Sequence, residues 1–260
     1  MKLTLGWLYY DLMNTYGDQG NILILQRRAQ ARKIKVEILE LSLESSYKDI
    51  AGCDLLLMGG AEDRQQEIVI QDLVKKKRQV LKDKIEQNIP ALFICGAFQF
   101  LGQFYRTAKG KELECLGILP FHTVHPGPKA KRLIGEIVIE ITNQALLQSS
   151  IFNSQSSKLL VGFENHGGRT YLNDNDSALG KVIKGHGNND QDNLEGFVFH
   201  NTIGTYLHGP LLPRSPILAD FLLVKALELK YNHEIELKPL KDELEQANQQ
   251  YLLKQLNVQT

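Results

Sequence analysis

The stretch "ALFICGAFQFLG", residues 91–102, decides how this chain is read. Ala91 to Cys95 form a continuous apolar run that suits a buried strand, and a helix-like pattern begins at once with Gly96. A strand that ends on a cysteine and turns directly into a helix is a nucleophile-elbow arrangement. Such a turn sets the sulfur at the C-terminal edge of a sheet, where open α/β folds place their sites. The helix N-terminus adds partial positive charge, which suits an anionic sulfur. Gly96 and Ala97 are small, so a substrate can approach the backbone and a developing oxyanion can meet an N–H. Read alone, the stretch still favours a core thiol over a nucleophile.

Working outward, the first hundred residues alternate strand and helix signals. "LTLGWLYY" (3–10) suits a strand, and the turn "YGDQG" (16–20) leads into "NILILQRRAQARK" (21–33) with Ile22, Leu25 and Ala29 at helical spacing. "KVEILEL" (35–41) and "DLLLMGG" (54–60) are further strands, separated from "ALFIC" by one charged helix over 64–87. Strands spaced by helices imply βαβ units and a mostly parallel sheet. The second half reads differently. "RLIGEIVIEI" (132–141), "KLLVGFEN" (158–165), "LGKVIKG" (179–185) and "GFVFHNTIGTYLHG" (196–209) are strands joined by polar turns, extending the sheet or adding an antiparallel flank. "SPILADFLLVKALELKY" (215–231) is a helix with Ser215 as N-cap and Pro216 at its first position. The fold class is α/β, three-layered, with residues 1–238 as one domain and a helical extension over 239–260.

Bulk composition narrows the function. Lys plus Arg and Asp plus Glu each number 30, giving a formal charge of zero. Nucleic-acid binding, which needs a basic excess, and membrane insertion, which needs a long apolar run, both fall away. The run "KKKR" (75–78) reads as the wet face of a helix. Cys53, Cys95 and Cys115 cannot all pair and lack zinc-site spacing, so a reduced, cytoplasmic protein is expected. No metal or cofactor is called for. The pair in "HTVH" (122–125) reads as a polar loop, and "GHGNNDQDN" (185–193) as a hairpin loop without calcium spacing.

Two more segments bear on Cys95. "LLLMGGAEDRQQE" (55–67) ends a strand on Gly59 and Gly60, whose loop can offer a backbone donor. "GTYLHGP" (204–210) sets His208 between Leu207 and Gly209, the most constrained surroundings of the seven histidines. These segments, in this order, resemble the class I (triad-type) glutamine amidotransferases of the cobyric-acid-synthase-like branch. Within it the chain is most similar to the GatD-type glutaminase subunits of lipid II isoglutaminyl synthases. "YGDQGNILILQRRAQ", "GGAEDRQQE", "CGAFQFLG", "LECLGILPFHT", "GFENHGGRT", "GHGNNDQDNLEG" and "GTYLHGPLLP" carry the likeness, over all but the last twenty or so residues.

The resemblance implies a fold with a nucleophile elbow and a glutaminase activity. It makes Cys95 the nucleophile and His208 the base and acid. Gly60 and Gly96 become oxyanion donors, Gln99 part of the L-glutamine pocket, and Arg132 the residue that holds glutamine. It implies a MurT-type, ATP-dependent Mur ligase as heterodimeric partner, which amidates the D-glutamate α-carboxyl of the lipid II stem peptide in peptidoglycan synthesis. Consistent with that, no G-x-x-x-x-G-K-[ST] loop occurs here. Two departures stand out. Ala61 and Ala97 replace common glycines, and Pro210 stands where the wider class has an acid two residues after the histidine. The acid then comes from elsewhere in the chain or from the partner, and a carboxylate supplied by the partner is the reading that fits a subunit activated on assembly. Glu164 and His166 are expected to shape the pocket or signal to the partner. The alternatives are an amidotransferase for another acceptor, such as a corrinoid, and a module that binds glutamine or a partner without catalysis.

Overall fold

The strand and helix pattern becomes a six-stranded sheet in the computed structural model, which describes residues 1–153 and 158–258. Lys2–Leu8 (β1), Lys35–Leu41 (β2), Leu55–Met58 (β3) and Ala91–Ile94 (β4) lie parallel. Farther along the chain come Phe104–Arg106 (β5), Glu112–Glu114 (β6), Phe121–Val124 (β7), Leu133–Ile141 (β8), Leu159–His166 (β9) and Arg169–Leu172 (β10). Gly180–Lys184 (β11), Leu194–Glu195 (β12), Phe197–Phe199 (β13) and Thr202–Thr205 (β14) complete the strands. The main sheet runs β13-β14-β4-β3-β1-β2, with β14 parallel to β4 and β13 the antiparallel edge. β3 and β4 are buried along their whole length, which is why each reads as an unbroken apolar run.

Both readings of the second half hold. β13 and β14 extend the main sheet, while the other late strands form two four-stranded sheets, β10-β7-β5-β6 and β12-β11-β8-β9. "HTVH" is not a loop: His122 and Thr123 lie in β7, and His122 stacks between Phe104 and Tyr171. "GHGNNDQDN" does join two antiparallel strands, β11 and β12.

Helix α1 (Gln19–Ala31) buries Ile22, Leu25 and Ala29 as its spacing predicts. Helix α2 (Tyr47–Ala51) leads into β3. The single helix expected over 64–87 is α3 (Asp63–Asp72), a π-helical turn at Leu73–Lys77, and α4 (Arg78–Glu86). A buried carboxylate accompanies the break. Asp72 accepts hydrogen bonds from Lys77 Nζ at 2.7 Å and Tyr9 Oη at 2.8 Å. Lys77 is therefore buried, unlike the wet face expected of "KKKR"; a buried ammonium is tolerated because it is paired. Lys75 and Lys76 do face solvent.

The helix Pro216–Tyr231 starts where expected, with Pro216 in its first turn, but the Ser215 hydroxyl makes no capping hydrogen bond. Its Asp220 joins α1 to the C-terminal region. Arg28 grips Asp220 through Nε at 2.7 Å and Nη2 at 2.8 Å, and Asp242 through Nη1 at 2.6 Å. Arg32 adds contacts to Asp220 and to the Lys238 carbonyl. Beyond this clamp lies the helix Glu243–Gln255, inside the helical extension expected over 239–260. Among the described residues no helix is long and apolar enough to cross a membrane.

Candidate active site

The turn at Cys95 is the sharpest feature of the sheet edge. Its φ of 55° and ψ of −111° place a non-glycine residue in the left-handed half of conformational space, at a cost of about 1–3 kcal/mol. The surroundings hold it there. Its N–H donates to the Thr205 carbonyl on β14 at 2.8 Å, and the six residues Gly96–Leu101 form helix α5 directly behind it. Because the strain falls on Cys95, Ala97 needs no positive φ; neither Ala97 nor Ala61 has one. The two departures from glycine are thus harmless to the turn. Gly96, first in α5, has an N–H without an intrahelical acceptor.

His208 follows β14 and is locked from both sides. Its N–H donates to Phe163 O at 2.8 Å and its carbonyl accepts from Phe163 N at 3.1 Å, a bridge to β9. Tyr16 lies edge-on to the imidazole, with ring centroids 5.0 Å apart. Nδ1 is 3.2 Å from Asp18 Oδ1, and both side chains are fully buried. Asp18 Oδ2 in turn accepts the Gly60 N–H at 2.8 Å. Among the described residues, the carboxylate placed beside Nδ1 is thus Asp18 of this chain. It sits at the N-cap position of α1 but makes no side-chain cap there, because its oxygens are engaged in the site.

Nε2 of His208 is buried and has no hydrogen-bond partner among the described residues. Burial alone would lower the imidazole pKa. The hydrogen bond to Asp18 and the nearby Cys95 sulfur outweigh it and raise the pKa well above the ordinary histidine value. Gly60 shows how close the parts are. A Cβ there would stand 2.9 Å from His208 Cε1 and 3.2 Å from Cys95 Cβ. A Cβ on Gly59 would stand 2.7 Å from Asp18 Oδ2. Asp18, His208 and Cys95 converge on the glycine pair so closely that a side chain on either glycine would have to displace one of them. With its N–H given to Asp18, Gly60 is not the free oxyanion donor expected. The N–H groups of Ala61 and Gly96 have no acceptor among the described residues.

Cys95, Gln99 and Arg132 line one pocket of about 580 Å³ with Tyr16, Asp63, Tyr105, His125 and His166. Gln99 is held by Tyr206, its Nε2 donating to the phenol oxygen at 3.0 Å. Arg132 uses Nε and Nη2 on the side chain and carbonyl of Asn165. His166 stacks on Tyr206 with centroids 3.6 Å apart, and burial lowers its pKa. Glu164 points away, fully buried, accepting the backbone N–H groups of His186 and Gly187 at 2.7 and 3.0 Å. It anchors the "GHGNN" turn. Among the described residues no group of three His, Cys, Asp or Glu is placed to hold a metal.

Asp18 and His125 escaped the reading of the sequence. Asp18 sits in a stretch whose Gly and Asp content already signals a turn, and nothing local ties it to residue 208. His125 follows a strand that reads as a loop.

A glutamine-hydrolysing lipid II isoglutaminyl synthase subunit GatD of Staphylococcus aureus (strain N315) is 42% identical over 99% of this chain and 98% of its own length. The subunit of that name from Streptococcus pneumoniae is 38% identical over 94% of this chain and 88% of its own. A solved structure of PurLQS from Thermotoga maritima superposes with a TM-score of 0.56 at 15% identity, covering 89% of this chain and 99% of that one, a likeness of fold. The model of the CobB/CobQ-like glutamine amidotransferase domain matches residues 4–216, and the chain belongs to that family.

Proposed function

We propose that this chain hydrolyses L-glutamine at Cys95 and supplies the ammonia to an ATP-dependent Mur ligase partner of the MurT type. That partner amidates the α-carboxyl of D-glutamate in the lipid II stem peptide. The observation that carries the reading is the buried Asp18–His208 pair beside a cysteine held on a positive-φ elbow. The acceptor rests on the names of the two nearly full-length relatives, which call each a subunit of a lipid II isoglutaminyl synthase; the Mur-type partner is what the resemblance to such subunits implies.

In this reading His208 Nε2 takes the Cys95 proton, and the sulfur attacks the side-chain amide carbon of glutamine. The oxyanion settles against the N–H groups of Gly96 and Ala61, each good donor lowering the barrier by about 3–4 kcal/mol. The intermediate collapses as His208 returns its proton to the leaving nitrogen, releasing ammonia and leaving a thioester. His208 then deprotonates a water that attacks the thioester, and glutamate leaves with the thiol restored. Asp18 holds Nδ1 protonated throughout, so that Nε2 is the reactive nitrogen. Gln99 and Arg132 position the substrate.

The test is glutamate release by the chain co-purified with its ligase partner. Cys95→Ala should abolish it while leaving the complex assembled. Release near the wild-type rate from that variant would refute the proposal.

A further inference from the structure

His125 stands in the pocket with one ring nitrogen committed and the other free. The Gly127 N–H donates to its Nδ1 at 3.1 Å, so Nδ1 is the acceptor and Nε2 carries the proton. Nε2–H has no hydrogen-bond acceptor among the described residues. The Arg132 guanidinium is similarly half used: Nε and Nη2 bind Asn165, and Nη1 has no partner among the described residues. The two free donors converge beside Gly167. A Cβ on that glycine would stand 2.8 Å from His125 Nε2 and 3.5 Å from Arg132 Nη1. Both side chains, with Gly167 beside them, line the pocket that holds Cys95.

We propose that His125 Nε2–H and Arg132 Nη1 together form the seat for the α-carboxylate of the substrate, which makes His125 a specificity-determining residue. This rests on the glutaminase reading and adds to it. A carboxylate presents two oxygens and takes two converging donors better than one. A neutral donor beside a cationic one also suits the site, since burial followed by the charge of Arg169 holds the His125 pKa below its ordinary value. Asp63 and Glu62 line the same pocket, so the charges present match an amino acid that carries both signs.

The experiment follows labelling of Cys95 in the full chain by two reagents. One is the glutamine-mimicking diazo-ketone amino acid, which carries the α-carboxylate; the other is iodoacetamide, which lacks it. His125→Ala should slow the diazo-ketone roughly ten- to hundredfold, the loss expected for one hydrogen bond to a charged group. His125→Gln, which retains a side-chain N–H, should recover part of that rate. Iodoacetamide should alkylate all three proteins alike. An unchanged diazo-ketone rate in His125→Ala overturns the inference. Equal slowing of both reagents also overturns it, because it shows a structural role. If the wild-type Cys95 resists the diazo-ketone but reacts with iodoacetamide, the glutaminase reading itself falls.

Discussion

Asp18 and His208 lie 190 residues apart in the chain and meet at 3.2 Å, Oδ1 to Nδ1, with neither side chain exposed to solvent. One carboxylate thus serves two partners, since its second oxygen holds the Gly60 N–H. That division makes the pair sensitive to a single atom.

Asp18→Asn should keep the fold and lose the activity. To go on accepting the Gly60 N–H, the amide must turn its oxygen there and present its NH2 to His208 Nδ1. Nδ1 then becomes an acceptor, Nε2 is protonated, and it cannot take the Cys95 proton. Glutamate release should fall by roughly two to four orders of magnitude. Near-wild-type release would show that Asp18 does not set the tautomer.

Gly60→Ala should disable the site by crowding. The added methyl would press on His208 Cε1 at 2.9 Å, Thr15 Oγ1 at 3.0 Å and Cys95 Cβ at 3.2 Å, and His208 and Cys95 are held by Phe163, Asp18 and Thr205. A displacement of about 1 Å in a reacting group costs on the order of a hundredfold in rate. The check is turnover of a variant whose near-ultraviolet circular dichroism matches the wild type.

Glu195 gives a pH dependence of stability. Its carboxyl is fully buried, and burial raises its pKa to about 8 against the opposing hydrogen bonds from Tyr206 N–H and Thr205 Oγ1. The unfolded chain releases this proton near pH 4.5 and the folded chain near pH 8. The folded state therefore binds the extra proton between these values. The contribution of Glu195 to stability is full below that window, falls as pH rises through it, and is flat above. Glu195→Gln should remove this slope from denaturant midpoints measured across the window. An unchanged slope would assign it to other groups.

Arg28→Met tests the clamp on the C-terminal region. The variant leaves Asp242 without its guanidinium and Asp220 with Arg32 alone. Both carboxylates are mostly buried, so the loss should be about 3–5 kcal/mol. It should be felt first as faster proteolysis within the Glu243–Gln255 helix, where the contacts with the body are few. Uniform destabilisation without local cleavage would show that the clamp supports the whole domain instead.

The alternation of apolar runs and helical spacing was enough to determine a parallel α/β sheet, because a strand buried on both faces must be apolar throughout. The same local logic marked Cys95, since a strand, a cysteine and a helix start are contiguous in "ALFICGAFQFLG". Gly60, Gln99, Arg132 and His208 were named on a different ground, the resemblance of whole motifs to a known family, and folding gave the Gly60 N–H to Asp18. Other features depended on which side chains meet. Asp18 looks like any aspartate in a turn until β14 carries His208 over α1. Lys77 looks like its exposed neighbours until Asp72 turns inward beside Tyr9. His125 looks like a loop residue until β7 sets it against Arg132. Sequence by itself determines local periodicity and the residues forced by backbone geometry. Tertiary structure alone decides which distant carboxylate orients a base, because a hydrogen bond acts only over the last few ångströms, and only folding brings those atoms within reach.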